Sequence, residues 1–306
     1  MDSVLALTRG NPLGFANFLN QLNPTFGTYT AVYTSDDQQV PLIGQIRYPL
    51  GSRSAHLSYL LPVDTGNLIA LSALMEHMSV QASEWGAFHL IGEVEEKTLV
   101  FEALRRAGFS IYNWQRIWQF KCGPEYPNDA PAKNGSRIWS ISTDLDVIAV
   151  KSLYQAVVPA LVQPVEPLLG NRVHGLVYRE EGEIIGYADI AYGPSGIWVQ
   201  PIIHPATQIV SDLLLGLSNS LPHRGNRPVY LCVRSYQAWI ESALENLNAE
   251  VGPRQALMVK HMAIMQKVNH TIPLASLEKS RVKPVQSQPT GFSRSESKAS
   301  PGPLTK

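Results

Sequence analysis

One order of elements occurs twice along this chain: paired strands, a helix, a strand, a helix and a last strand, first across residues 28–120 and again across residues 172–265. An arrangement repeated at this scale predicts a repeated fold. The 306 residues suffice for two domains of ordinary size, and a content of 44% hydrophobic and 16% charged residues can fill a core in each.

In the first copy, strands are expected at 29–33, 43–48 and 56–61, the first two joined by the turn 35–39. A helix capped by Asp64 or Thr65 follows, because Leu68, Leu71, Leu74, Met75, Met78 and Ala82 recur at helical spacing. Residues 88–92 read as a short buried strand. Glu95 and Glu96 then suit the positive end of a helix that buries Leu99, Val100, Ala103, Leu104 and Ala107, with Arg105 and Arg106 at its negative end. Gly108 is placed for a left-handed stop, with Phe109 folded back onto the last turn. The strand 111–120 alternates, with Tyr112, Trp114, Trp118 and Phe120 on one face and only Arg116 interrupting them.

The second copy adds a front piece: a strand at 137–142 and an apolar helix across 145–161, limited by Pro159 and Pro164. Strands at 174–178, 184–191 and 196–203 repeat the meander. Ile209, Val210, Leu213, Leu214 and Leu217 stripe the next helix, 229–233 is a strand, and Trp239, Ile240, Ala243, Leu244 and Leu247 stripe another before a closing strand at 255–265. This order predicts an α+β fold, with a mixed, mostly antiparallel sheet flanked by helices in each copy. The expected division is residues 1–120 for the first domain, with a shortened front part, 121–136 for a linker rich in Pro, Gly and Asn, 137–277 for the second domain, and 278–306 for a disordered basic tail rich in Ser and Pro.

Six Lys or Arg stand against Glu296 alone in residues 279–306, a net of plus five, so the zero overall balance leaves minus five on the body. An acidic body argues against a surface that tracks nucleic-acid phosphates. Cys122 and Cys232 lie in different halves with no Cys-x-x-Cys pattern, a usage that suits a reducing cytoplasm, and no apolar run is long enough for a membrane span. The eight histidines never fall at His-x-x-x-His spacing, so no metal is expected. Walker, Gly-x-Ser-x-Gly and dinucleotide Gly-x-Gly-x-x-Gly patterns do not occur.

The layout, with Val199-Gln-Pro201 leading from a strand into a helix and Ala103-Leu-Arg-Arg-Ala-Gly-Phe109 ending another, resembles the GNAT family of acyl-CoA-dependent N-acetyltransferases, twice in tandem. In that family the strand bearing Val-x-Pro leads into a glycine-bearing turn that holds the pyrophosphate of coenzyme A on backbone N–H groups and a helix terminus. The resemblance therefore implies acetyl-CoA as co-substrate, a small-molecule or peptide amine as acceptor, and cofactor contacts from Val199, Pro201, His204, Ala206 and Thr207. It implies two GNAT-like domains, and a sheet of its own for each copy is the premise of what it says about coenzymes. In the second copy His204 stands where the family has Arg or Gln, and Thr207 and Ile209 where it has small residues, so none matches; in the first copy Thr65, Leu68 and Ala70 fall on those positions and only Ala70 conforms. A tyrosine general acid would fall at Leu104 and Leu244, and leucine donates no proton. Glu93 and Asp189 are the nearest carboxylates for a base, each reading more simply as a solvated surface charge, so no catalytic residue is assigned. The reading is an N-acetyltransferase with reduced or lost activity; the alternative is a non-catalytic GNAT-fold binding or scaffold protein.

Overall fold

The computed structural model describes residues 2–10, 26–34, 41–49, 51–62, 67–120, 139–168 and 174–262. The turn at 35–39, the cap candidates Asp64 and Thr65, the linker 121–136 and the tail from residue 278 lie outside these residues. Met1–Ile264 forms one compact unit.

The elements run α1 (Ser3–Arg9), β1 (Phe26–Tyr33), β2 (Leu42–Pro49), β3 (Ser54–Leu61), α2 (Leu68–Glu84), β4 (His89–Glu95), α3 (Leu99–Arg106) and β5 (Ser110–Phe120). They continue with β6 (Ser140–Ile141), α4 (Val147–Val157), β7 (Gly175–Glu180), β8 (Glu183–Tyr192), β9 (Ile197–Ile203), α5 (Val210–Asn219), β10 (Val229–Arg234), a 3-10 turn (Ser235–Ile240), α6 (Glu241–Asn246), β11 (Glu250–Val251) and β12 (Gln255–His261). Instead of one sheet per copy there is a single 12-stranded sheet in the order β1-β2-β3-β4-β12-β5-β10-β9-β8-β7-β6, with β11 paired beside it to β5. Every pair is antiparallel except β3 with β4 and β9 with β10.

The repeat survives in this sheet because the two copies exchange their last strands. β12, from the end of the described chain, completes the β1–β4 meander by pairing with β4, while β5 completes the second meander by pairing with β10. The exchanged strands then pair with each other, Gln115 opposite Gln255. Alternation along β5 sends Trp114 to a first core built under α2 and α3 and sends Trp118 and Phe120 to a second core under α5 and α6, so both cores share one face of the strand. Tyr112 departs from the expected aromatic face. Ile111 and Asn113 both find partners across a register shift in β12, Tyr112 is the extra residue, and its ring packs on the opposite side with Val165 and Val259.

Local chemistry accounts for several helix ends. Asn67 caps α2 by accepting from Ala70 N at 2.9 Å. Thr98, not the Glu95–Glu96 pair, starts α3: Glu95 is still strand, the Thr98 hydroxyl accepts from Phe101 N, and Glu102 is the acid of the first turn. Gly108 stops that helix at φ 86° and Phe109 is buried behind it, as its sequence predicts. The front strand of the second copy shrinks to Ser140–Ile141, and its helix to Val147–Val157. The expected helix around Trp239 is split between the 3-10 turn and α6, and the turn is itself kinked by non-helical backbone at Gln237.

Candidate functional site

Both parallel pairs open into a fork. β3 and β4 run together only through Ser54–His89, Ala55–Leu90 and His56–Ile91, and β9 and β10 only through Ile197–Val229, Trp198–Tyr230 and Val199–Leu231. Beyond the last rung the facing backbone groups lack ladder partners, and buried groups of this kind must be satisfied by something else. An extended ligand can do so by running between the prongs as an added strand.

In the first fork the filler is α1. Asp2 N donates to Ser58 O on one prong at 3.1 Å, and Ser3 N donates to the Glu93 carboxylate on the other at 3.0 Å. The Asp2 carboxylate caps α1 by accepting from Leu5 N and takes a second bond from Arg47 at 2.7 Å. The far end of α1 is held by the second copy, where Ser195 N donates to Thr8 O at 2.8 Å. Gly193 permits that contact, since a Cβ there would lie 2.2 Å from Thr8 O. Burial holds the nearby His56 imidazole below its ordinary pKa, against the pull of Asp2.

In the second fork the filler is a side chain. Gln237 is fully buried, its Oε1 accepts from Ile203 N at 2.8 Å, and its Nε2 donates to Pro201 O at 2.8 Å. One carboxamide thus imitates a neighbouring strand along the unpaired edge of β9. Arg234 on β10 reaches Gln200 on β9 at 3.3 Å, forms an ion pair with Glu166 at 3.0 Å, and donates to Gln115 Oε1. The Glu166 carboxylate also accepts from the Tyr112 hydroxyl, and Gln115 Oε1 from the Cys232 thiol at 3.1 Å. Burial pushes the Cys232 thiol up to about 12, so it is a hydrogen-bond donor and not a nucleophile at neutral pH. The two networks meet where Gln115 Nε2 bonds both Glu93 at 3.2 Å and Gln255 at 2.7 Å.

The sequence-derived cofactor residues fall around the second fork without converging on one open surface. Val199 is paired on both sides and buried in the second core, and Pro201 has its carbonyl taken by Gln237. His204 follows β9, accepts from Ala206 N at 3.3 Å, and receives Thr207 N on its carbonyl at 3.1 Å. Ala206 is exposed. Thr207 is buried, and its hydroxyl has no partner among the described residues. Behind this turn, α5 starts at Ile209 without a side-chain cap and carries Asp212 in its first turn, a charge that repels an anion at that terminus. These residues do not fit an acyl-CoA arm as folded, because the backbone edge it needs is already bonded and the helix end is acidic.

Leu104 and Leu244 are fully buried members of the two cores. Glu93 is a fixed acceptor between α1 and Gln115, not the solvated charge expected of it, whereas Asp189 is exposed. The residues that fill the forks, Asp2, Glu166, Arg234 and Gln237, carried no motif. Asp2 alone had a local signal, as an acid three residues ahead of the amide it caps. Among the described residues no cluster of His, Cys, Asp or Glu could hold a metal ion.

No protein-family model and no curated relative matches the sequence. Solved structures do resemble the chain. A GCN5-related N-acetyltransferase from Sphaerobacter thermophilus matches with a TM-score of 0.52 and 14% identity over 82% of this chain and 87% of that one. A tandem GNAT protein from the clavulanic acid biosynthesis pathway matches at 0.48 and 17% identity over 85% and 93%, and a GCN5-related N-acetyltransferase from Kribbella flavida at 0.48 and 12% over 81% and 94%. The chain has the fold of the GNAT N-acetyltransferases.

Proposed function

We propose that this protein is a tandem GNAT-type N-acetyltransferase by ancestry, with residues 1–120 and 137–277 as its two copies, in which acyl transfer to an amine is reduced or lost. The GNAT fold supports the ancestry. The loss is carried by one observation: Gln237 occupies Pro201 O and Ile203 N, the backbone groups an acyl-CoA arm would need in the better preserved copy. Whatever affinity for acetyl-CoA remains belongs to Val199, Pro201, His204, Ala206 and Thr207, and the acceptor would be a small-molecule or peptide amine in the cytoplasm. Among the described residues no helix is long and apolar enough to cross a membrane. At millimolar acetyl-CoA the protein is expected to show no rise in melting temperature, since stabilisation follows ligand occupancy. It should release no coenzyme A thiol with a panel of amines. A rise in Tm together with amine-dependent thiol release would sink this reading.

A second reading, a non-catalytic binding or scaffold protein, is favoured by a cavity of about 510 Å³ between α1 and the sheet. Cavities of a few hundred Å³ with mostly apolar walls are the usual form of small-molecule sites.

A further inference from the structure

We propose that the outer edge of β1 pairs with β1 of a second copy of this chain, antiparallel about a two-fold axis at Thr30, so that the sheet continues from one copy into the other. The two ends of the sheet are built differently. β6, at one end, is two residues long, and Arg179 of β7 bonds the Ser140 hydroxyl beside it at 3.0 Å. A short strand next to a charge discourages further pairing. β1, at the other end, runs for eight residues with no charged residue and no proline, and its register with β2 is unbroken. Among the described residues β2 is its only strand partner, so alternate N–H and C=O groups on the other edge lack a ladder partner.

The side chains of β1 favour its own copy as the added strand. Tyr29, Ala31 and Tyr33 face the first core, while Thr28, Thr30 and Val32 lie on the opposite face, where Thr30 is exposed and Val32 is 59% exposed. With Thr30 opposite its copy, Tyr29 falls opposite Ala31, Tyr33 opposite Gly27, and Thr28 opposite Val32. Each tyrosine then meets a small residue on one face, and β-branched residues meet one another on the other. Moving the axis by one residue sets tyrosine against tyrosine, Tyr29 against Tyr33 with the axis at Ala31 and Tyr29 against its copy with the axis at Tyr29. A strand without charge also brings no like charges together when it meets itself.

α2 extends the contact. It lies on the tyrosine face, where His77 shares a hydrogen bond of 2.7 Å with the Tyr29 hydroxyl. Val80, one turn further along the same side of α2, is 58% exposed, and a second copy would cover it. One strand pair and one side of a helix make a small interface, so a dissociation constant on the order of 10 μM is expected. The inference does not depend on acyl-CoA binding, which concerns other residues.

Sedimentation velocity of the full chain from about 1 to 200 μM tests the pairing, and a monomer that gives way to a dimer across this range is expected. Thr30→Lys and Thr30→Glu each set like charges opposite one another and should weaken the dimer about fivefold or more. Mixed in equal amounts, the two variants should associate as tightly as the original chain, because the lysine of one copy then faces the glutamate of the other. Melting curves establish that both are folded; if either is not, Val32→Lys with Thr28→Glu replaces the pair, since the same register sets those positions opposite and the mixture should again associate more tightly than either variant alone. A chain that stays monomeric at about 200 μM, which would leave the edge to a strand of another protein, would overturn the proposal. So would unchanged association in either Thr30 variant, or folded variants whose mixture associates no better than each alone.

Discussion

The first fork is filled by backbone from the far end of the chain, the second by a side chain from the next element. Asp2 N and Ser3 N bridge the prongs of β3 and β4, whereas Gln237 bonds two backbone groups of β9 from only 34 and 36 residues away, with Arg234 crossing to Gln200. The same geometric vacancy imposes the same requirement, that stranded N–H and C=O groups find partners, and the two solutions differ in how they can be undone. A short helix held at both ends can leave as a unit. A glutamine with no exposed surface cannot move without opening the second core.

That contrast is tested most severely at the charged groups. Arg234→Ala strands Glu166 beside Tyr112, and a loss of about 3 to 5 kcal/mol is expected in urea unfolding at pH 7, the usual cost of leaving a buried charge alone. Arg47→Ala leaves the buried Asp2 carboxylate its bond from Leu5 N, and a smaller loss of about 1 to 3 kcal/mol is expected by the same measurement. Comparable losses at the two positions would break the distinction.

Gln237→Ala leaves Ile203 N and Pro201 O unbonded and should cost about 1 to 3 kcal/mol. Hydrogen exchange sharpens the result, because the Ile203 amide should lose protection while Val199, paired on both sides, keeps it. Asp2→Ala removes the cap of α1 and is expected to cost about 1 kcal/mol, with faster exchange at Leu5 and little change in the second copy.

The smallest effect is a pH dependence. Burial lowers the His56 pKa below 6.5 in the folded protein, with Asp2, Glu93 and Glu166 pulling it up and Arg47 pushing it down. Between the folded value and 6.5 the unfolded chain binds the proton more readily, so stability rises with pH across that window. The contribution is therefore complete above 6.5 and is lost as the pH falls toward the folded value. His56→Gln should flatten this part of the stability profile, seen by urea unfolding between pH 5 and 7 at about half-unit steps. An unchanged slope would remove His56 from the account.

Element order was legible because the periodicities of 2 and 3.6 are local properties: the stripe Leu71, Leu74, Met75 and Met78 specifies a buried helix face whatever lies opposite. The exchange of β5 and β12 was not, since alternation states which face of a strand is buried and never which strand lies beside it. Glu95 and Glu96 misled for a related reason. Their charge suits a helix start, but the Thr98 hydroxyl satisfies Phe101 N directly, and an actual bond outweighs a favourable field. At the site, Val199 and Pro201 were found where a strand leads toward a helix, and the filling of the fork was invisible because Gln237 acts through a partner 34 residues away with no repeating pattern. Tyr112 was assigned to the wrong face because a bulge resets alternation without leaving a glycine or proline to mark it.

The exchange of last strands has a consequence during synthesis on the ribosome. The edge of β4 waits for Gln255–His261, which are translated some 160 residues later at a pace of roughly 5 to 20 residues per second, so a bare strand edge persists for many seconds in every nascent chain. β5, made early, has no meander of its own to complete and must be held until β10 is translated. A message cut between the copies would therefore yield two products, each lacking the strand the other carries.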